Sequence, residues 1–531
     1  MPFLSPAGNL NGRNMTMLKR MTALLAAALL ALGLTACGST PTPAPADESV
    51  LIYGSGDYTR INPAMDEHGE INLLLFDGLM AHDGDNQPVP ALAESWEFDH
   101  NTCTYTFHLR QDVCWHDGEP FTAADVKFTI EAIMDPENGS ENAPNYEDVE
   151  EITTPDDHTV CFRLSAPNVA FLDYMTMSIL PRHLLEGEDM QTSDFFRHPV
   201  GTGPYRLETW DQGQAITLVK NENYFKGAAH IDTLIFKIVP DDSARTLQMR
   251  SGELDLAQLT PRDAEGFAGQ EGYTVYSMTT SDYRGILFNF NNPYWQENRD
   301  LIPAICCGID RQAILDAVVL GRGIVAYGPL QRNIYNNPDV ERYDYDPARA
   351  EAILTAAGCV KGNDGFYARN GEKIGFVISV GAGDQVRLDM AQAAAQQLRQ
   401  IGIDCTVEVP AVVDWGGQMA YLIGWGSPFD ADDHTYKVFG TGKGANYSGY
   451  SDPLVDQYLT EARQTDDPAR RAEAYGKFQE ALAADPAYAF ICYVDADYVA
   501  ADRLQGISTD TVLGHHGVGI FRNVTEWTLE D

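Results

Sequence analysis

The strongest constraint on the fold is a repeated change of hydrophobic period along most of the chain. Polar and apolar residues alternate in residues 103–110, as they do in a strand with one buried face. Residues 374–380 have the composition of a buried strand, and a helix that begins at Asp384 leads into a further strand, 404–409. This order is a βαβ unit. Together these patterns predict an α/β fold in which mixed sheets are flanked by helices.

A short apolar segment precedes the globular part. Residues 21–36 follow Lys19-Arg20 and end at Cys37, which is too short for a bilayer span of about 20 residues but typical of an export signal. The four residues LTAC that end at Cys37 resemble the lipobox of bacterial lipoproteins, in which the cysteine is lipidated. We therefore predict a signal peptide over residues 1–36, a lipid anchor at Cys37 and a Pro-rich tether over 37–48. The expected location is the extracytoplasmic face of the cell membrane, in a periplasm or at the cell surface.

The charge of the chain excludes one large class of function. Its net charge is −41 at pH 7, with 36 Lys and Arg against 77 Asp and Glu. Proteins that bind nucleic acid need a basic surface that neutralises phosphates, so this class is excluded. The same balance argues against electrostatic binding to anionic lipid.

Eight cysteines follow Cys37, and their spacing matches neither a CxxC pair nor a zinc site. Cys103 and Cys161 lie in two predicted strands of one region and could form a disulfide bond in an exported protein. Buried thiols are the alternative, which also suits the adjacent Cys306 and Cys307 in an apolar helix predicted over residues 301–319. The sequence leaves the disulfide state open.

Motifs of the common catalytic classes are absent from the sequence. It contains no HExxH, no GxSxG and no Walker-type loop. Pairs of carboxylates arise by chance in a chain with 77 acidic residues, so they do not indicate acid–base catalysis. The sequence therefore predicts that the protein is not an enzyme; an extracytoplasmic hydrolase is kept as an alternative.

A series of longer motifs points to one family. In chain order they are FDGL (76–79), PALAESW (90–96), YTFHLR (105–110), WHDGEPFTAADVKF (115–128), VGTGPY (200–205), NENYF (221–225), RSGELD (250–255), YDP (345–347) and Gly424-Trp425. Their order and spacing, from about residue 50 to the C-terminus, resemble the solute-binding proteins of the peptide/nickel family of ABC importers, also called bacterial extracellular solute-binding protein family 5.

The resemblance implies a two-lobed clamp of the periplasmic-binding-protein type, with a ligand between the lobes and an extra subdomain in lobe I. We expect lobe I to comprise residues 49–76, 200–283 and 492–531, the subdomain 77–199 and lobe II 284–491. Two strands should cross between the lobes, near residues 281–291 and 489–495.

The resemblance also suggests residues that meet the ligand. Peptide binders of the family place an acidic residue shortly after the Gly-Trp pair, where it meets the α-ammonium group, but here that place holds Pro428. Asp430, Asp432 or Asp433 would have to substitute after a shift of the loop. Further candidates are Trp425, which could pack over a ligand or serve in the core, and Tyr283 and Arg284 at a crossing strand. Arg284 could pair with a ligand carboxylate or form a salt bridge between the lobes.

Histidines provide a second kind of candidate. The family includes nickel binders that use histidines from the start and the end of the chain, and imidazole suits nickel. The candidates here are His68, His434 and the pair His515-His516 in a Gly-flanked loop, which we expect to be flexible and exposed. No cofactor is obligatory; nickel would be cargo.

The sequence thus predicts the membrane-anchored substrate-binding component of an ABC importer, which captures a short peptide or a nickel chelate by lobe closure. Its expected partners are the small ligand, a permease and an ATPase, and the membrane through its lipid anchor. We expect a monomer. Besides the hydrolase, a chemosensory lipoprotein that uses the same clamp without transport is the alternative.

Overall fold

The computed structural model describes residues 48–65 and 69–530. The predicted signal peptide, Cys37, nearly all of the tether and His68 lie outside the described residues. Within the described part, no helix combines the length and the apolar character that a membrane span requires.

The described strands fall into one large sheet and several small ones. In chain order they are β1 Val50–Ser55, β2 Met80–His82, β3 Pro88–Pro90, β4 Ala93–Asp99, β5 Thr104–Leu109, β6 Val149–Asp156, β7 Thr159–Leu164, β8 Tyr205–Asp211, β9 Ala215–Lys220, β10 Thr233–Ile238, β11 Leu256–Leu259, β12 Tyr273–Phe288, β13 Gly323–Val325, β14 Val360–Lys361, β15 Tyr367–Arg369, β16 Glu372–Lys373, β17 Gly375–Ser379, β18 Asp404–Glu408, β19 Ala420–Trp425, β20 Tyr488–Ala501, β21 Leu504–Gln505 and β22 Thr528–Leu529.

The described helices lie between and around these strands. The α-helices are Asn72–Leu75, Ala123–Met134, Phe171–Tyr174, Arg182–Leu185, Asp242–Arg250, Pro261–Glu265, Pro293–Asn298, Ile302–Cys307, Arg311–Val318, Pro347–Ala356, Gln385–Ile401, Asp432–Phe439, Pro453–Gln464 and Pro468–Ala484. Short 3-10 helices are Ala143–Tyr146, Asp194–Arg197, Arg299–Leu301, His515–Gly517 and Ile520–Glu526.

The large sheet has 11 strands and runs through both lobes. Its order is β18-β17-β19-β12-β20-β11-β1-β10-β9-β8, with β13 paired to β20. The strands β11, β1, β10, β9 and β8 belong to the first lobe, and β17, β18 and β19 to the second. The long strands β12 and β20 are shared, because β12 pairs with β20 from Tyr273 to Leu287 and with β19 from Tyr283 to Phe288. The fold is therefore a two-lobed α/β clamp joined by these strands.

The pairing between β12 and β20 is interrupted where these strands cross between the lobes. The register between β12 and β20 shifts between Thr279 and Tyr283 and again between Arg284 and Gly285. Such bulges bend a strand and leave residues outside the regular pairing. Both predicted crossings fall on these two strands; the residue bounds assigned to the lobes and the subdomain stay a prediction.

Separate hydrophobic cores fill the lobes. One core joins Leu51, Phe236 and Trp527 of the first lobe to Phe107 and Phe162 of the four-stranded sheet β4-β5-β7-β6. Two other cores, around Ile286 and Phe376 and around Tyr475 and Phe490, stabilise the second lobe.

Local signals placed several elements correctly. Thr122 and Asp125, three residues apart at the start of the helix Ala123–Met134, form a capping box, as their spacing favours. The βαβ unit is present, since β17 and β18 pair in parallel on either side of the helix Gln385–Ile401. Gly402 ends that helix in the left-handed conformation, at φ 99°.

One expectation needs correction, and one open alternative is decided. The segment predicted as one helix over residues 301–319 contains two α-helices, because the first helix ends at Gly308. Asp310 caps the second helix by accepting a hydrogen bond from the Ala313 N–H at 3.0 Å. The disulfide state, which the sequence left open, is that of free thiols at all eight described cysteines, so Cys103 and Cys161 form no bridge.

Candidate functional site

A cleft between the two lobes has a cavity volume of ≈ 380 Å³. Ligand pockets in proteins typically measure roughly 300–1,000 Å³. One wall carries Asp77, His82, Asp173 and Lys226, and the other carries the segment from Trp425 to Phe429 and part of the helix Asp432–Phe439. The C-terminal segment around His515 closes the end near the crossing strands. A small molecule of modest length fits this space.

The wall of the first lobe presents a buried carboxylate. Asp77 accepts hydrogen bonds from the Tyr224 hydroxyl at 2.9 Å and from the Thr202 hydroxyl at 3.2 Å, and the Lys226 ammonium lies 3.5 Å away. Burial raises the pKa of Asp77, although Lys226 opposes the shift. The Asp of the FDGL motif therefore has a fixed place in the wall of the cleft.

An imidazole that sequence reasoning missed reaches across the cleft. The His82 ring stacks on Phe429 of the opposite wall, with ring centroids 3.6 Å apart and the planes at 4°. Its Nε2 donates to the Asp173 carboxylate at 3.0 Å. His82 and Phe429 lie on opposite walls of the cleft, so this stack joins the two walls.

Trp425 lies in the cleft, in a row of nearly parallel rings. It stacks with Tyr447 at 6.3 Å between centroids and with His515 at 5.9 Å, both at 21°. Its indole is 7% exposed, and the Lys437 ammonium lies 6.0 Å from the ring centre. Trp425 thus lies in the core of the second lobe and also lines the cleft, while its contact with a ligand stays a prediction.

His515 is held by a carboxylate of the crossing strand. Its Nδ1 donates to Asp282 Oδ1 at 2.9 Å, and the His516 backbone N–H donates to Asp282 Oδ2 at 3.0 Å. Arg284 forms an ion pair with the same carboxylate. Burial alone would raise the pKa of Asp282, but Arg284 and His515 hold it well below its usual value. The side chain of His515 is ordered by these contacts and 11% exposed, in contrast to the flexible, exposed loop expected from its glycines.

Asp433 is the acidic residue after the Gly-Trp pair that lines the cleft. Its carboxylate lies 3.7 Å from the Lys437 ammonium. Burial alone would raise the pKa of Asp433, but Lys437, the Ser427 hydroxyl and the nearby imidazoles lower it below its ordinary value. Pro428 also lines the cleft, as its position in the motif suggested.

Asp430 and Asp432 are engaged elsewhere. Asp430 accepts two hydrogen bonds from Arg471, at 2.6 and 2.7 Å. Asp432 is 1% exposed and binds Arg463, at 2.6 and 3.1 Å, and the Tyr174 hydroxyl. Neither carboxylate lies among the residues that line the cleft.

Other candidates lie away from the cleft. Tyr283 is fully buried in the core beside Phe490 and Tyr493. Arg284 and His516 line a second cavity of ≈ 310 Å³, which we call the hinge cavity and which Asp282 and Asp497 also line. The structure therefore brings Trp425 and His515 together and places Arg284, Tyr283 and His516 outside their cleft.

His434 borders the cleft but is deeply buried. It is 3% exposed, and its Nε2 lies 3.3 Å from the Pro329 carbonyl oxygen. Burial lowers its pKa to about 4. His68 lies outside the described residues, which resume at Gly69, a residue of the cleft wall. Within residues 48–65 and 69–530, no cluster of three or more His, Cys, Asp or Glu is arranged to hold a metal ion.

The cleft is close to electrically neutral although the chain is strongly acidic. Its ionisable wall residues are Asp77, Asp173 and Asp433 against Lys226, Lys437 and Arg522. Three histidines join them: His82, His434 and His515. A zwitterionic or weakly charged ligand suits such a surface.

Sequence reasoning missed His82, Asp173 and Asp282. His82 follows the FDGL motif by three residues, and Asp282 lies two residues before Arg284, so their proximity to flagged residues was the available signal. Nothing local shows that Asp282 meets a histidine 233 residues later.

Comparison with known proteins supports the family resemblance that the sequence motifs indicate. The family model "Bacterial extracellular solute-binding proteins, family 5 Middle" matches residues 87–447. Protein XP55 of Streptomyces lividans is 34% identical over 501 residues, which cover 91% of each chain.

Two solved structures extend the comparison to the fold. NikZ from Campylobacter jejuni, in complex with Ni(L-His), has a TM-score of 0.86 at 34% identity and covers 91% of this chain and 100% of its own. AppA from Bacillus subtilis, in complex with a nonapeptide, has a TM-score of 0.82 at 25% identity and covers 92% of this chain and 100% of its own.

Proposed function

Because the chain belongs to the bacterial extracellular solute-binding proteins of family 5, we propose that it is the substrate-binding component of an ABC importer. The two lobes, joined by β12 and β20, would sample open and closed arrangements. A ligand that contacts both walls of the cleft favours the closed arrangement, which the permease then recognises. The ligand leaves unchanged, since capture needs no bond to break.

The proposed ligand is nickel bound to a small chelator that carries imidazole and carboxylate groups. The observation that carries this proposal is His515, which lines the cleft against Trp425 with its Nδ1 bonded to a carboxylate. Histidines that bind metals through one nitrogen commonly donate the other N–H to a carboxylate. NikZ from Campylobacter jejuni, whose structure contains Ni(L-His), supports the same ligand class.

The size and charge of the cleft favour a chelate over a bare ion. A volume of ≈ 380 Å³ accommodates a ligand of amino-acid or dipeptide size, and the balanced charges suit a complex of low net charge. Trp425 offers a flat apolar surface on which a chelator ring can pack.

A short peptide is the second candidate, and Asp433 favours it. Its ionised carboxylate lies in the cleft close to the place where peptide binders of the family hold an acidic residue. An α-ammonium group would bind there in competition with Lys437. AppA from Bacillus subtilis, solved with a nonapeptide, is the relative of this kind.

We further propose that the receptor is anchored to the extracytoplasmic face of the membrane through Cys37. The motif that ends at Cys37 and the Pro-rich residues after it support a lipid anchor followed by a spacer.

Mass spectrometry of the native protein, with elemental analysis of the bound metal, is the direct test. We expect a nickel-containing complex after incubation with Ni(II) and L-histidine, and calorimetry should give its affinity. Replacement of both His68 and His515 by Ala should abolish this binding, whereas His198→Ala, at a side chain that is 74% exposed, should not change it.

The outcomes separate the candidates. Wild-type affinity in the double variant would contradict the metal proposal, and a bound peptide that Asp433→Asn weakens would favour the peptide receptor. A peptide pool recovered with cleaved products would instead indicate a hydrolase.

A further inference from the structure

We infer that Asp282 is a positioning residue of the cleft, which fixes the tautomer and the direction of the His515 ring. The inference deepens the proposed nickel-chelate function and rests on it for its binding test. A second test uses the ligand-free protein, so the inference about Asp282 and the proposed nickel-chelate function can be contradicted independently.

Both oxygens of the buried Asp282 carboxylate accept hydrogen bonds. Asp282 is 1% exposed, and its Oδ1 accepts from His515 Nδ1 at 2.9 Å while its Oδ2 accepts from the His516 backbone N–H at 3.0 Å. The side chain and the backbone of the loop are therefore held together. Arg284 binds the same carboxylate from the side of the hinge cavity.

The chemistry of the carboxylate selects one form of the ring. An ionised carboxylate only accepts hydrogen bonds, so Nδ1 of His515 must carry a proton. In the neutral ring the lone pair is then on Nε2, which is the nitrogen that a nickel ion requires.

The backbone attaches His515 to the crossing strand itself. Leu513 N–H donates to the Thr279 carbonyl at 2.8 Å, and Ser281 N–H donates to the Leu513 carbonyl at 2.9 Å. Both donor and acceptor of the His515–Asp282 bond thus move with β12. Because points near a rotation axis move least, the pair should persist in the open and closed arrangements.

Gly424 explains how the arginine fits beside this pair. Gly424 faces Arg284 across β12 and β19, and a side-chain carbon at residue 424 would collide with the Arg284 guanidinium and lie 3.0 Å from Arg387 Nη2. The glycine of the Gly-Trp motif therefore leaves room for the counter-ion of Asp282, and the tryptophan beside it stacks on His515.

The binding test is a double-mutant cycle in the full 531-residue chain, with Ni(II) and L-histidine as the probe. Asp282→Asn should weaken binding roughly 10–100-fold, the usual effect of losing such an outer partner. In the His515→Ala background the same change should cost nothing further, because Asp282 acts through His515.

The matched control is Asp497→Asn. Asp497 is also 1% exposed, lies on the other crossing strand and pairs with Arg322 at 2.7 Å, but it does not line the cleft. It should lower thermal stability and leave nickel affinity unchanged. Additive losses in the cycle, or wild-type affinity in Asp282→Asn while His515→Ala loses binding, would overturn the inference.

Asp282→Asn leaves Arg284 buried without its counter-charge, so we add Asp282→Asn with Arg284→Met, which removes both charges. Nitrogen-15 NMR of histidine-labelled, ligand-free protein then reads the tautomer directly, with His515→Ala for assignment. Wild type should show the Nδ1–H form, and both Asp282 variants should lose that preference. An unchanged His515 tautomer in the Asp282 variants would overturn the inference, even where nickel does not bind. A wild type that shows the Nδ1–H form and binds no nickel would contradict only the proposed ligand.

Discussion

At the scale of single residues, the candidate acids are distinguished by their counter-ions. Asp430 and Asp432 are engaged by Arg471 and Arg463, while Asp433 remains in the cleft wall beside Lys437. Buried pairs contribute little net stability, but removal of one partner leaves an uncompensated charge and costs about 3–5 kcal/mol. A carboxylate with a structural role can therefore be recognised by the loss of stability that follows when its arginine partner is replaced.

Arg471→Ala should lower the free energy of unfolding by about 3–5 kcal/mol, because it leaves Asp430, whose side chain is only 11% exposed, without its partner. Arg471→Met combined with Asp430→Asn should recover most of that loss. Denaturant unfolding measures both, and Lys477→Ala, at an exposed i,i+4 pair, is the control. Equal stability of Arg471→Ala and wild type would show that the pair is dispensable.

His116 predicts a pH dependence of stability. It accepts a hydrogen bond from the Gly201 N–H at 3.1 Å and donates to the Gly203 carbonyl at 3.0 Å, and burial lowers its pKa to about 4. Between pH 6.5 and 4 the unfolded chain gains a proton that the folded chain does not, so stability falls as the pH falls.

We expect a loss of up to about 3 kcal/mol from this group between pH 6.5 and 4, which His116→Gln should remove. Chemical unfolding of the wild type and the variant at each pH gives the difference. His198→Gln, at an exposed side chain, should keep the wild-type slope. A slope in His116→Gln equal to that of wild type would assign the effect to other groups.

At the scale of elements, the 3-10 helix Ala143–Tyr146 brings Glu147 to the second lobe. Glu147 accepts from the Lys443 ammonium at 2.6 and 2.7 Å and from the Tyr436 hydroxyl at 2.5 Å. With the stack of His82 on Phe429, these contacts join residues 77–199 to the second lobe. Under the proposed mechanism, these contacts would favour the closed arrangement before a ligand binds.

Glu147→Gln should shift the lobes toward the open arrangement. A partly exposed ion pair contributes up to about 1 kcal/mol, so ligand affinity should fall roughly two- to fivefold. Small-angle X-ray scattering of the ligand-free variant should give a larger radius of gyration. Glu150→Gln is the control, because Glu150 pairs with Arg163 inside the four-stranded sheet. Unchanged scattering in Glu147→Gln would mean that the contact does not hold the lobes.

At the scale of the whole molecule, the net charge of the chain and the charge balance of its cleft have different consequences. A net charge of −41 repels anionic partners, whereas the lining of the cleft contains equal numbers of acids and basic groups, three of each. The charge balance of the cleft thus differs from that of the whole chain.

The membrane anchor is a prediction at this scale. Cys37→Ser should move the protein from the membrane fraction to the soluble exported fraction and remove incorporation of labelled fatty acid, because lipidation needs the thiol. Cys114→Ser, at an exposed thiol of the globular part, is the control. Continued membrane association of Cys37→Ser would contradict the anchor.

The sequence alone determined what depends on neighbours along the chain. The cap formed by Thr122 and Asp125, the helix end at Gly402 and the βαβ unit around Gln385–Ile401 all arise from local hydrogen bonding and hydrophobic period, and the motif order was sufficient to indicate the family. Only the tertiary structure decided which acid meets which base and which rings stack. His515 with Asp282, Asp430 with Arg471 and His82 with Phe429 join segments far apart in the chain, and in so acidic a chain no local pattern distinguishes one partner from another.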